Sequence, residues 1–159
     1  MIFLSAASLL IACIHNSKVP DDALVYTVEV TGSTDTCHTD GSMDGGWQDT
    51  FEYAVSFDAS SADLYMDGEP FAAGTQSGCN LTYQSVVIGA DDRAAGAIKW
   101  QLTGAAKLET DASGDACVEG DTEWLGTETI TVISSEDDAI VPGCTYTMST
   151  VGDYIPPEG

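Results

Sequence analysis

The sequence predicts an all-β fold, a single antiparallel meander barrel of eight to nine strands, and three observations carry that expectation. No segment sustains the 3.6-residue apolar period of an amphipathic helix. Short segments instead alternate apolar and polar residues with a period of two. The stretches between them are rich in Gly, Asp, Ser and Thr, the composition of turns and loops. A Greek-key β-sandwich is the alternative arrangement, and the barrel is preferred because most connections are hairpin-like.

Taken in order, residues 24–31 put Leu24, Tyr26, Val28 and Val30 on one face and Val25, Thr27, Glu29 and Thr31 on the other. Residues 33–47 then read as a long polar loop containing Cys37 and His38. Phe51, Tyr53, Val55 and Phe57 give a second strand an aromatic inner face. Leu64 and Met66 lead into Asp67-Gly68, a hairpin turn that relies on positive φ, and Phe71 begins the return. Leu81 and Tyr83 share the next face, after which the phase shifts. A bulge near Ser85 would bring Val86 and Ile88 into the core.

Residues 89–96 form a loop, and Ile98, Trp100 and Leu102 give the plainest alternation in the chain. Gly104 is read as a turn into a separate short strand carrying Ala106 and Leu108. Residues 110–122 form a loop that holds Cys117. In the long strand 124–134, Glu128 falls in register with Trp124, Ile130 and Val132. A bulge at Gly126 is expected to turn it to solvent, because an unpaired buried carboxylate is costly. An acidic loop, 135–143, precedes a last strand with Cys144, Tyr146 and Met148 on one face, and Pro156-Pro157 ends the fold.

Upstream of these strands lies an apolar run from Met1 to Ala12 that ends at Cys13, with no charge before Lys18. It has the length of a secretory signal core and is too short for a bilayer span, which takes roughly 20 residues. Its end, Leu10-Ile11-Ala12-Cys13, resembles the lipobox of bacterial lipoproteins: an aliphatic residue, a tolerant position and a small residue before an obligatory cysteine. The resemblance covers the N-terminus only. It implies cleavage before Cys13, a thioether-linked diacylglycerol on that thiol, and residence on the cell envelope, at the outer membrane or cell surface. A plain signal peptide with Cys13 just past its cleavage site is the competing reading. The expected organisation is signal peptide 1–12, lipidated Cys13 with a tether to residue 23, β domain 24–155 and tail 156–159.

Charge bounds the partners. The chain carries 26 Asp plus Glu against 4 Lys plus Arg, a net charge of −22. Nucleic acid is excluded, since neutralising phosphates needs a basic patch, and anionic lipid head groups are repelled. The candidate partners are a basic protein or one bridged by cations, besides the membrane reached through Cys13. With 159 residues and a hydrophobic fraction of 43%, the chain suits one folded domain and not a disordered acidic tail.

With Cys13 assigned to lipid, Cys37, Cys79, Cys117 and Cys144 remain, an even number in an exported chain, read as two disulfides. In a meander each loop belongs to one end of the barrel. Counting strands with Gly104 as a turn puts Cys37 with Cys117 and Cys79 with Cys144. No Cys-x-x-Cys spacing supports zinc. Asp35, Asp40 and Asp44 cluster around Cys37 as a candidate cation-binding loop, without the spacing of an EF-hand. No nucleophile has an evident base, no catalytic residue is assigned, and no cofactor is expected. The expected function is a non-catalytic binding or structural module. The alternative is a lipocalin-like carrier of a small apolar ligand, in a cavity lined by Tyr26, Tyr53, Tyr83, Trp100 and Tyr146.

Overall fold

Strand β1 (Leu24–Asp35) displays the rule on which the fold is built: Tyr26, Val28 and Val30 are buried, while Thr27, Glu29 and Thr31 face outward. Period-two alternation puts one face of each strand inside. The computed structural model describes residues 18–37, 49–90, 96–110 and 122–156, and these hold strands and no helix. The remaining strands are β2 (Thr50–Asp58), β3 (Ser61–Met66), β4 (Glu69–Ser77), β5 (Asn80–Ser85), β6 (Ile88–Ala90), β7 (Ile98–Thr110), β8 (Thr122–Ser135) and β9 (Thr145–Ile155).

All pairings are antiparallel. Strands adjacent in sequence are neighbours in the sheet except β5 and β6, which both pair with β7, and β9 returns to β1. The result is a closed eight-stranded meander barrel with β6 as one extra strand. Closure removes the long unpaired edges that an open sheet would expose. The β3–β4 turn is the expected Asp67-Gly68 hairpin, with φ of 50° and 85°. Asp67 is held there by Glu52, whose backbone N–H donates to the Asp67 carboxylate and whose carbonyl accepts from the Asp67 N–H.

Trp124 is the hub of the interior. Its ring lies 5.7 Å from Tyr26, 5.5 Å from Tyr53 and 5.9 Å from Tyr83, all in tilted or edge-on geometry, and its indole N–H donates to Thr150 Oγ1 at 3.1 Å. Phe71 packs on Tyr53 and Tyr83 in turn. Such aromatic pairs contribute about 0.5–1.5 kcal/mol each beyond the area they bury. Leu64, Leu81, Leu108 and Val55 complete this core. A smaller cluster of Cys37, Ile98, Val132 and Ile140 closes one end of the barrel.

Three local expectations are corrected. Gly104 is not a turn: β7 runs unbroken through it, paired with Tyr83 on β5 and Glu128 on β8. The Tyr83 ring covers the glycine so closely that a Cβ there would collide with it. The residue is glycine to make room, and no chain reversal is involved. Val86 does not enter the core. It and Val87 are 53% and 49% exposed, because β5 ends at Ser85 and the ladder resumes only at Ile88. Ser85 fixes that interruption: its Oγ accepts from Leu102 N–H and donates to Val86 C=O, and its carbonyl accepts from the Gln101 amide.

The third correction concerns β8. Its irregularity lies at Ile133, the residue skipped between Lys99↔Ser134 and Trp100↔Val132, while Gly126 is in regular register with Ala106 and Thr150. No bulge at Gly126 turns Glu128 outward, and Glu128 is 2% exposed.

The disulfide pairing is corrected as well. Cys37 bonds Cys144, with Cα atoms 4.9 Å apart, so neither Cys37–Cys117 nor Cys79–Cys144 forms. Splitting β7 at Gly104 added a strand to the count and moved Cys117 and Cys144 to the wrong ends. In the real meander β1 ends where β9 begins, which brings Cys37 beside Cys144. One disulfide, where two were expected, is defined within the described residues. Cys79 is disulfide-bonded and is not a free thiol. Cys117 lies outside the described residues.

Candidate functional site

The most unusual chemistry in the described residues is a carboxylate inside the barrel. β8 points Trp124, Glu128 and Val132 inward by simple alternation, and Glu128 arrives between two phenols. Tyr83 Oη on β5 donates to its Oε1 at 2.5 Å, and Tyr53 Oη on β2 donates to its Oε2 at 3.1 Å. Each carboxylate oxygen thus has a partner, which meets the requirement that a buried charge or polar group be hydrogen-bonded.

Among the described residues no cation joins them. Lys18 pairs with Asp21 at the surface, and Lys99 and Lys107 occupy outward positions on β7. Burial pushes the Glu128 carboxyl above the ordinary carboxylate range, and the hydrogen bonds from Tyr83 and Tyr53 draw it part of the way back. Burial likewise raises Tyr53 and Tyr83, and the adjacent Glu128 charge raises them further. The arrangement suits the storage of a proton: a neutral Glu128 donates to one phenol oxygen and still accepts from the other. With Glu128, Tyr53 and Tyr83 each less than 5% exposed, the cluster is remote from any dissolved reactant.

In the sequence Glu128 is in phase with Trp124 but is expected to turn outward, and Tyr53 and Tyr83 fall on inner faces with no visible link to it. The missing signal was the pair of phenols, since a carboxylate in register with core residues is tolerable once inward tyrosines supply donors.

Of the candidate cation-binding residues, Asp35 is buried at the end of β1, and its carboxylate accepts the Cys37 N–H at 2.7 Å. This is a local turn contact two residues away, of the kind that Asp forms readily. Asp40, Asp44, His38 and the lipid-acceptor candidate Cys13 lie outside the described residues. Among the described residues no group of three or more His, Cys, Asp or Glu is disposed to hold a metal ion.

Tyr26, Tyr53, Tyr83 and Tyr146, expected either to line a cavity or to fill a core, are buried, with the first three packed around Trp124. Trp100 is partly buried at the junction with the end cluster. Strand direction sorts the connections by end. β1, β3, β6 and β8 finish at the end remote from the start of β1, so the connections 36–49, 67–68, 91–97 and 136–144 depart from there. The Cys37–Cys144 bond and Ile140 pin that end. Comparison of the chain with protein-family models, curated proteins and solved structures returned no match.

Proposed function

We propose that this chain is a lipid-anchored protein of the bacterial cell envelope whose barrel is a non-catalytic module for binding or for structure. The observation that carries the reading is the filled interior. Trp124, Tyr26, Tyr53, Tyr83 and Phe71 pack against one another around the centre, and both oxygens of Glu128 are engaged by tyrosines. A lipocalin-like carrier would need room where these rings lie. With the inside used for stability, the outer wall and the connections are left to meet a partner, and loops on a rigid scaffold are well suited to that task.

Anchoring at Cys13 would attach the membrane near the start of β1. The pinned end with its polar connections would then face away from the bilayer. The net charge of −22 favours a basic partner or one bridged by cations. The test has two arms. Cys13 should incorporate labelled fatty acid in a bacterial host, and Cys13→Ala should release the protein or leave it uncleaved. Crosslinking in that host should capture a discrete partner through the connections or the wall. An unlabelled wild-type chain in a competent host removes the anchor from the proposal, and turnover of a substrate that is lost on changing one residue of the barrel replaces the module with an enzyme.

A further inference from the structure

On the outer wall, one row of residues crosses four strands in register: Glu29 on β1, Val151 on β9, Leu125 on β8 and Lys107 on β7. Val151 and Leu125 stand directly opposite one another, 37% and 39% exposed, and both line a shallow groove on this wall. In the neighbouring row Asp153 stands directly opposite Glu123. Both are exposed, and together with Glu29 they rim the groove. Directly paired like charges across antiparallel strands are destabilising. The wall keeps that unfavourable pair beside exposed aliphatic side chains.

We propose that this groove binds a cationic, amphipathic polypeptide segment of another protein, one that seats an apolar side chain on Leu125 and Val151 and brings Lys or Arg to Glu123, Asp153 and Glu29. The proposal rests on the binding-module reading above and adds the face and the partner chemistry. Charge complementarity selects the occupant. A second copy of a chain with net charge −22 is repelled, as are nucleic acid and an anionic bilayer. A basic segment relieves the Glu123–Asp153 repulsion while covering the two aliphatic side chains, which an inorganic cation would leave exposed.

The probe is a synthetic peptide of alternating Lys and Leu, titrated into the full chain and followed by amide chemical shifts and calorimetry. Shifts should concentrate on β8, β9 and the first half of β1. The double variant E123Q/D153N should weaken binding about tenfold, as removal of two surface charge pairs implies. L125S/V151S should weaken it by a similar factor without altering the salt dependence. The control D58N/D138N, which removes the same charge from exposed positions elsewhere, should change affinity less than about twofold. Equal weakening by the control would show a diffuse polyanion effect and overturn the proposal. So would shifts centred elsewhere, or calcium chloride alone reproducing the same shifts and displacing the peptide. A failure here, with lipid labelling and a crosslinked partner intact, refutes the groove and leaves the module reading standing; loss of both of those refutes the reading itself.

Discussion

Tyr83 and Glu128 are 45 positions apart in sequence, yet the phenol donates to the carboxylate inside the barrel at 2.5 Å. Tyr53 reaches the other oxygen from β2, so the cluster ties together β2, β5 and β8, no two of which are neighbours in the sheet. Links of this kind oppose local opening of single hairpins, because losing one strand leaves a buried donor or acceptor unpaired.

The first prediction is a pH dependence. The fold raises the Glu128 carboxyl above its value in the unfolded chain, so folding favours the protonated form. Below the ordinary carboxylate range both states are protonated and this stabilisation is fully present. As pH rises from that range the unfolded chain ionises first, and the contribution is lost until pH has passed the raised value. Other acids titrate in the same interval, so the informative quantity is the difference between the wild type and Glu128→Gln, measured by denaturant unfolding across pH. That difference should shift in favour of Gln as pH rises. Glu128→Ala should instead destabilise by about 2–5 kcal/mol at every pH, since it leaves two buried phenols without their acceptor and opens a cavity. A flat difference between wild type and Gln would refute the buried-proton account.

The same burial raises Tyr53 and Tyr83, and here the sign agrees. Their contribution is complete below the ordinary tyrosine range and fades above it. An alkaline absorbance titration should show Tyr53 and Tyr83 ionising only together with unfolding, and Y53F and Y83F should each remove one chromophore from that cooperative step.

Gly104 and Tyr83 form a second dependent pair. A methyl group at residue 104 would meet the Tyr83 ring, and the ring cannot move without abandoning Glu128. Gly104→Ala should therefore destabilise by about 1–3 kcal/mol, the range for overpacking a tight core. Combined with Tyr83→Leu, it should cost less than the sum of the two single changes, because residues in direct contact are not additive. Thermal or denaturant unfolding of the four proteins completes the cycle, and strict additivity would mean that the ring does not occupy that space.

The same two residues show how much the sequence disclosed. Alternation in Tyr26, Val28 and Val30, or in Ile98, Trp100 and Leu102, is a local property of one strand, and it made the strands and the meander legible. The role of Gly104 is set by a ring from a different strand, and glycine by itself equally signals a turn. That single ambiguity reversed the strand parity and with it the disulfide pairing. Glu128 was legible as an inward position and illegible as a satisfied one, because its partners are distant in sequence and arrive only when the barrel closes. The looping out of Val86 and Val87 depends likewise on Ser85 bonding across to Leu102.

The last prediction follows from the corrected parity. Cys37 and Cys144 consume each other, and Cys79 is bridged. If Cys13 carries lipid, the partner left for Cys79 is Cys117. The fold makes that pairing reachable, since the Cys79 carbonyl accepts the Leu108 N–H at 2.9 Å, which sets the β4–β5 turn against the final residues of β7, just before the segment that carries Cys117. Nonreducing peptide mapping should therefore recover Cys37–Cys144 and Cys79–Cys117 as the two linked pairs. Cys37→Ser/Cys144→Ser should lower stability by about 2–5 kcal/mol, because the bond closes a long loop in the unfolded chain, and Cys79→Ser/Cys117→Ser should cost less because its loop is shorter. Recovery of Cys79 linked to Cys13 would contradict both this pairing and the assignment of Cys13 to lipid.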